Sequence, residues 1–339
     1  LGLALVVAAS PPPPQTDPRT VAETYTSEPR PEEDVDSLAV WHGPENQHWV
    51  IATAKATHRL LVFDASTGTL LRIVGKEGGG PGEFRRPNGI AILDDTVFVV
   101  ERDNHRVQVL SLPKLESVAT FGGEVLKRPY GIAAHSPRAG ETYEIYVTDN
   151  YMEPNDEPPP AASLGDRVRH FRAERHGSGL RFSEVRAIGD TEGAGVLYKV
   201  ETIASDPDRD RLLVADEYPV ENYFKLYHLD GRFFQRGMGQ KLFQIEPEGL
   251  VLYPCGSGGF WFGTDQHEAR SHFLVFDRDS LAYLGAFSGT TTANTDGVAL
   301  TTVPFGPFQG GAFFAVHDDS ALSSFSLSKI LEALELSCP

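Results

Sequence analysis

The sequence predicts an all-β fold, a six-bladed β-propeller of four-stranded antiparallel blades. One observation is the stretch Phe84–Leu110, where short β-branched runs alternate with Gly, Asp and Asn. Pro87-Asn88-Gly89 leads into Ile90–Ile92, Asp94 and Asp95 make a turn, Val97–Val100 follows, and Glu101–His105 separates it from Arg106–Leu110. Such a meander has exposed edges and half a core, so it needs copies of itself to pack against. A second observation is that the pattern recurs about six times, at a spacing of roughly 40–60 residues, the range of propeller blades. A third is the hydrophobic period of two rather than 3.6, which argues against helical repeats. Radial stacking around a channel would bury both faces of every copy and leave only short edges.

In chain order, Leu1–Ser10 is an apolar run ending in small residues and reads as a truncated export signal, or alternatively as a native apolar strand. It is too short to span a membrane, and no later run is long enough. Residues 11–33 have the Pro, Glu, Thr and Ser content of a linker, within which Val21–Thr26 could form a strand. Residues 34–331 carry the repeats. Blade one spans Leu38–Trp41, His48–Thr53, Leu60–Asp64 and Leu70–Val74, and blade two is the template with Ser117–Phe121 added. Blade three has Pro129–Ile132 and Tyr143–Thr148, then a Pro-rich insertion around Glu153–Ala162, then Arg167–Arg172 and Glu184–Ile188. Blade four has Val200–Ser205, Arg211–Ala215 and Phe224–His228. Blade five has Glu248–Leu252, Gly259–Gly263, His272–Asp277 and Leu281–Phe287. Blade six has Asp296–Leu300, Gly311–Val316 and Leu322–Leu327, and it lacks an outer strand, which Val21–Thr26 could supply to close the ring. Ser326–Leu336 alone reads as a helix, and 332–339 is a tail.

Composition narrows the function. With 339 residues, 40% of them hydrophobic, the chain can bury a large core as one domain. Its 33 Gly and 24 Pro suit many tight turns. A net charge of -17 should repel nucleic acid and anionic membranes. It would also repel a polyphosphate unless cations intervene. Cys255 and Cys338 could pair in an exported protein, tying the tail to the body, or remain buried thiols. The histidines form no metalloprotease pattern, and no nucleophile elbow is present. Gly78–Gly82 is glycine-rich but lacks the Lys-Ser/Thr ending of a phosphate loop, and reads as a turn between blades.

Chemistry is expected where the inner strands start. Glu248-Gly249 and Asp296-Gly297 begin two of them, Glu201 holds the same place in a third, and Glu246 precedes one by two residues. Glu217, Asp149, Asp265 and Asp318 follow second strands. Acids at equivalent positions of successive blades should converge on one rim, where their repulsion calls for a cation. All-oxygen ligands suit Ca²⁺. They could also be solvated turn acids. Lys55, Arg59, Arg102, Lys127 and Arg128 lie near the same ends, as an anion pocket or as ordinary surface charges.

From about Thr20 to Leu331 the chain resembles the β-propeller phytases, the calcium-dependent alkaline phytase family. The likeness is carried by Asp34-Val35-Asp36-Ser37-Leu38-Ala39-Val40-Trp41, Thr53-Ala54-Lys55 with Val62-Phe63-Asp64, and Tyr130-Gly131. It continues through Glu201 and Glu217 sixteen residues apart, Glu246-Pro247-Glu248-Gly249-Leu250, and Asn294-Thr295-Asp296-Gly297-Val298 with Phe305–Phe308. The resemblance implies a secreted or periplasmic, monomeric phosphomonoesterase that releases phosphate from phytate, taken as a calcium complex. Asp34, Asp36, Glu201, Glu217, Glu246, Glu248, Asp296 and Asp318 would hold Ca²⁺. Lys55, Arg102, Arg128 and Tyr130 would bind substrate, and Glu201, Glu217, Tyr130, Lys55 and Arg102 would form the catalytic set. The calcium ions would bridge a phosphate and acidify a bound water, which attacks phosphorus in line.

The chain departs from the family pattern at Pro87–Ile90, where an Asp is missing, at Ser37 and Leu38, and at Asn150, where a lysine is expected. His317–Ala321 loses a Glu and an Asn. Gly80–Phe84, Pro87–Ala91 and Asp103–Val109 instead resemble an NHL repeat. That likeness implies the same six-bladed fold and, in many members, partner binding without catalysis. A calcium-dependent lactonase or esterase propeller is a further alternative.

Overall fold

The computed structural model describes residues 17–177 and 179–338. The apolar run Leu1–Ser10 and the start of the Pro-rich segment lie outside the described residues. Six antiparallel sheets follow one another along the chain as the blades of a propeller. From the channel outward, blade one is Val35–His42, His48–Ala54, Arg59–Asp64 and Leu70–Val74. Blade two is Pro87–Leu93, Thr96–Glu101, Arg106–Ser111 and Glu116–Phe121. Blade three is Pro129–Arg138, Thr142–Asp149, Val168–His176 and Gly179–Ile188. Blade four is Val200–Asp206, Arg211–Asp216, Tyr223–Tyr227 and Phe233–Met238. Blade five is Pro247–Cys255, Gly258–Asp265, His272–Asp277 and Tyr283–Ser288. Blade six supplies Val298–Thr301, Ala312–His317 and Ala321–Ser326 from its own stretch of chain.

The fourth strand of blade six comes from the opposite end of the chain. Tyr25–Thr26 pairs antiparallel with Ser323–Ser324, and the Tyr25 hydroxyl donates to the Ala65 carbonyl of blade one at 2.7 Å. Arg19–Thr20 adds a parallel strand outside Phe287–Ser288 of blade five. This second pairing lies in a stretch whose composition reads only as linker. It forms because Val21 is buried among Phe260, Phe262, Phe273 and Phe287. Between the two pairings, the Glu23 carboxylate accepts the backbone amides of Thr290, Thr291 and Thr292 at 3.0–3.1 Å. Burial works against its charge, but these donors hold its pKa well below the usual carboxylate range. Glu23→Gln should therefore cost about 1 kcal/mol after solvent screening. A thermal melt lowered by a few degrees would register it, and an unchanged melt would mean that the closure does not depend on this clamp.

The second strands are apolar on both faces because each is covered by two neighbouring blades. Val97–Val100, Leu212–Val214 and Phe260–Phe262 are all buried. The core is accordingly divided among the seams. Phe98 and Val109 meet Tyr143, Ile145 and Phe171 between blades two and three, and Val50 and Phe63 meet Phe314 and Val316 where the ring closes. Each such side chain contributes about 1.5–3 kcal/mol by burial. Leu327–Ala333 is the α-helix, shorter at both ends than the Ser326–Leu336 read from sequence; Glu335, with a φ of 54°, turns the chain out of it. Leu327 and Ile330 seal the seam of blades five and six, and a disulfide joins Cys255 to Cys338.

The inner strands line a central channel of about 130 Å³, with one residue pair per blade, from Ser37–Leu38 to Gly297–Val298. Four of these pairs begin with glycine, and the close packing around the axis explains why. A Cβ on Gly131 would stand 2.1 Å from the Glu201 carbonyl, and one on Gly297 would stand 2.3 Å from the Asp36 carbonyl. Glycine thus lets blades three, five and six press against the backbone that carries the next blade's acid, and blade two against the backbone of Tyr130.

Candidate functional site

One backbone device, repeated around the ring, builds the channel mouth. Five inner strands slip register at their start, between Val35 and Leu38, Pro87 and Ile90, Pro129 and Ile132, Val200 and Ile203, and Pro247 and Leu250. A bulge of this kind bends the strand and re-aims one side chain. The residues within the slips are Asp36, Asn88, Tyr130, Glu201 and Glu248, and Asp296 precedes Gly297 in the same way. A second ring follows the second strands. The amides of Lys55, Arg102, Asn150, Glu217 and Gln266 donate to the carbonyls of Asp34, Arg86, Arg128, Lys199 and Glu246 at 2.9–3.3 Å. Residues distant in sequence therefore meet at one height on the axis.

On one side of the mouth, carboxylate oxygens of Glu201, Glu217 and Glu248 lie within 4.8 Å of one another. The Glu217 side chain has no solvent exposure, and neither of its oxygens accepts a hydrogen bond. Lys199 Nζ forms an ion pair with Glu217 Oε2 at 3.0 Å and stands 3.6 Å from Glu246 Oε2. Asn150 fixes Glu201 by donating to Oε1 at 3.1 Å while its own oxygen accepts the Val200 amide. Burial, reinforced by the neighbouring glutamates, pushes the pKa values of Glu217 and Glu248 far up. Burial also raises that of Glu201, against the pull of Lys199.

The other side is internally neutralised. Lys55 Nζ lies 2.9 Å from Asp36, 3.1 Å from Asp296 and 3.3 Å from Asp34. Burial opposes its charge, yet the three carboxylates hold the ammonium firmly protonated. Asp36 also accepts from Asn88 Nδ2 at 3.3 Å and the Tyr130 hydroxyl at 3.4 Å. Asp296 accepts from Gln266 Nε2, yet burial carries its pKa up to about 8. Burial and the surrounding acids keep the Tyr130 phenol protonated.

The structure thus brings together Asp34, Asp36, Lys55, Tyr130, Glu201, Glu217, Glu246, Glu248 and Asp296. Arg102 and Arg128 pair with acids outside this set. Arg102 opens a short 3-10 turn and pairs with its neighbour Asp103 at 2.7 Å, and Arg128 pairs with Asp156 at 3.2 Å. Asp318 is exposed. Blade six is one residue out of step, since the Asp318 amide donates to Ala293 rather than to Asn294. Asp319 faces the mouth instead; burial raises its pKa against Lys55, and its Oδ1 is buried without a partner. Asp149 and Asp265 are structural: each accepts two backbone amides of the loop entering its own blade, at 2.6–3.1 Å. Asp265 also takes His267 Nε2 at 2.9 Å, which accounts for the Asp265, His267 and His272 cluster without an ion. Lys127 pairs with Asp166.

Sequence reading missed Lys199, Asp319, Asn88 and Gln266. Lys199 had a detectable signal. It stands two residues before Glu201, as Glu246 does before Glu248 and Asp34 before Asp36. Aligning the blades on the bulge residue finds it.

The fit to a hard divalent cation rests on Glu217. Its fully buried carboxylate stands beside two further glutamates and one ammonium, that of Lys199 at 3.0 Å, so the cluster keeps an excess of negative charge that is costly without a further cation. The donors are all oxygen, the chemistry Ca²⁺ takes. Glu201, Glu217 and Glu248 would hold it, with Glu246 at the margin.

A family model for the NHL repeat matches residues 84–110. No curated protein sequence matches the chain. Among solved structures, Kuenenia stuttgartiensis hydrazine synthase is similar with a TM-score of 0.53 and 11% identity, over 90% of this chain and 98% of that one. A nidogen/laminin complex is similar with a TM-score of 0.47 and 18% identity, over 80% and 92%. At its identity, the hydrazine synthase likeness speaks for the fold alone.

Proposed function

We propose that the channel mouth binds Ca²⁺ and that the protein is a calcium-dependent phosphomonoesterase acting on phytate or a similar polyphosphate. The observation that carries this reading is the convergence of carboxylate oxygens of Glu201, Glu217 and Glu248 on one point, with the fully buried Glu217 paired to a single ammonium, that of Lys199. Support for the reaction class comes from the phytase-like motifs, several of which fall on this mouth. Bound calcium would neutralise phosphate oxygens and acidify water. The chain's own groups do the remaining work. Tyr130, protonated, can donate to an anionic oxygen; Asn150 and Asn88 set the orientation of Glu201 and Asp36; Lys55 balances the aspartate side. An exported location is part of the proposal, and the Cys255–Cys338 disulfide suits an oxidising compartment.

A non-catalytic propeller that binds a partner is the second reading, favoured by the NHL match and by the pairing of Arg102 and Arg128 with Asp103 and Asp156. Phosphate release from phytate, with calcium and with a chelator, separates the two. Chelation and Glu217→Gln should each lower release by at least about 100-fold. Release that is absent, or insensitive to chelator, would sink the enzyme reading.

A further inference from the structure

The cations at this mouth are not equivalent. Lys55 is buried and spanned by three carboxylates, so it has no freedom to meet a ligand. Arg102 and Arg128 are engaged elsewhere on the rim. Lys199 is held differently. Its amide donates to Asp216 at 3.0 Å and its carbonyl accepts from Glu217 at 2.9 Å, so the backbone is pinned. Its side chain keeps 31% of its surface exposed and pairs with Glu217 at 3.0 Å and Glu246 at 3.6 Å. Its closest partner, Glu217, is also one of the carboxylates best suited to a divalent cation.

We propose, resting on the phosphomonoesterase reading, that Lys199 is the residue that binds the substrate phosphate directly. A divalent cation and an ammonium compete for the same Glu217 carboxylate, and their like charges repel. Filling the glutamate cluster therefore frees the Lys199 ammonium, whose pinned backbone keeps it at the rim. It then offers a charge-assisted hydrogen bond to a phosphate oxygen beside the cation. The two cationic functions are divided: Lys55 neutralises the aspartates permanently, and Lys199 is exchanged from carboxylate to substrate.

Calorimetry on the full chain tests this, with calcium and then with glycerol 2-phosphate added to the calcium-loaded protein. Lys199→Met should weaken glycerol 2-phosphate binding by at least about tenfold, and Lys199→Arg should retain most of it, because a guanidinium also supplies positive charge and N–H donors to a phosphate oxygen. Calcium should bind Lys199→Met as tightly as the wild type or more tightly, since a competitor is gone. Thermal melts confirm that both variants fold, and Lys199→Gln repeats the test without the longer apolar tip. Unchanged phosphate binding in Lys199→Met would overturn the assignment. So would a parallel loss of calcium binding, which would show Lys199 acting through the cation site. Wild-type binding without turnover, lost in Lys199→Met, would keep the Lys199 role and overturn the phosphatase reading. No binding by the calcium-loaded wild type would overturn both.

Discussion

Glu217→Gln should melt at a higher temperature than the wild type in chelator, and at a lower temperature in saturating calcium. The side chain is completely buried, its oxygens accept no hydrogen bond, and Glu201 and Glu248 stand against it. A buried charge compensated this poorly costs several kcal/mol, of which protonation recovers a part. Glutamine keeps the volume, removes the charge, and gives the neighbouring carboxylates an amide donor. Lys199 loses one partner but keeps Glu246 at 3.6 Å. The net gain without cation should be on the order of 1–3 kcal/mol. Calcium reverses the order. A ligand at a hundredfold its Kd stabilises by about 2.7 kcal/mol, which for a domain of this size raises Tm by roughly 5 °C. The variant, short of a central ligand, should gain little of that. Calorimetric melts of both proteins with and without calcium give four values. A variant that melts below the wild type in chelator, or that gains the same increment from calcium, would show that Glu217 is not held in reserve for a cation.

The blades were legible because burial on both faces forces each second strand to be nearly continuous in apolar residues, as Val97–Val100 and Phe260–Phe262 are. The acids of the mouth were legible for a related reason. Glycine follows two of them where the inner strands crowd the axis, so Glu248-Gly249 and Asp296-Gly297 stand out against the repeat, whereas Asp36 and Glu201 are followed by Ser37 and Thr202. What escaped was the direction of side chains on the rim. Arg102 and Lys55 occupy equivalent backbone positions, and each amide donates to the matching carbonyl. One pairs with three aspartates; the other pairs with the adjacent Asp103. That difference depends on a local turn, not on the repeat. The exchange of Asp318 for Asp319 has the same origin, since two consecutive residues at φ near 50° shift blade six by one position. The pairing of Arg19–Thr20 with blade five left no pattern at all, because two residues are too few to alternate.

Without divalent cations, stability should rise and then fall between pH 4 and pH 9, and calcium should remove only the alkaline decline. The alkaline limb comes from the mouth. Burial puts Asp296 at about 8 and raises Glu201, Glu217 and Glu248. A group whose folded pKa lies above its unfolded value favours the fold while protonated. Its contribution is complete below the ordinary carboxylate range near 4 and is lost as the pH climbs through the folded value, here toward about 8. The summed loss should be on the order of 2–4 kcal/mol, shared among coupled groups. The acid limb has a separate source. Burial, and then the adjacent His48, lowers His42 to about 4, and burial also lowers His135 and His170. These imidazoles favour the fold while neutral, so their contribution is complete above about 6.5 and is lost as the pH falls toward 4. The metal-free maximum should therefore fall between about pH 4 and 6.5, where the two slopes oppose each other. Calcium acts on the first set and not on the second, because a bound dication stabilises ionised carboxylates and does not touch His42, which donates or accepts at Thr301 and His48 in blades six and one. Melts at intervals from pH 4 to 9, in chelator and in calcium, should converge near pH 4 and separate progressively from there to about pH 8. Curves that separate equally at all pH values would mean that calcium binds somewhere other than these carboxylates.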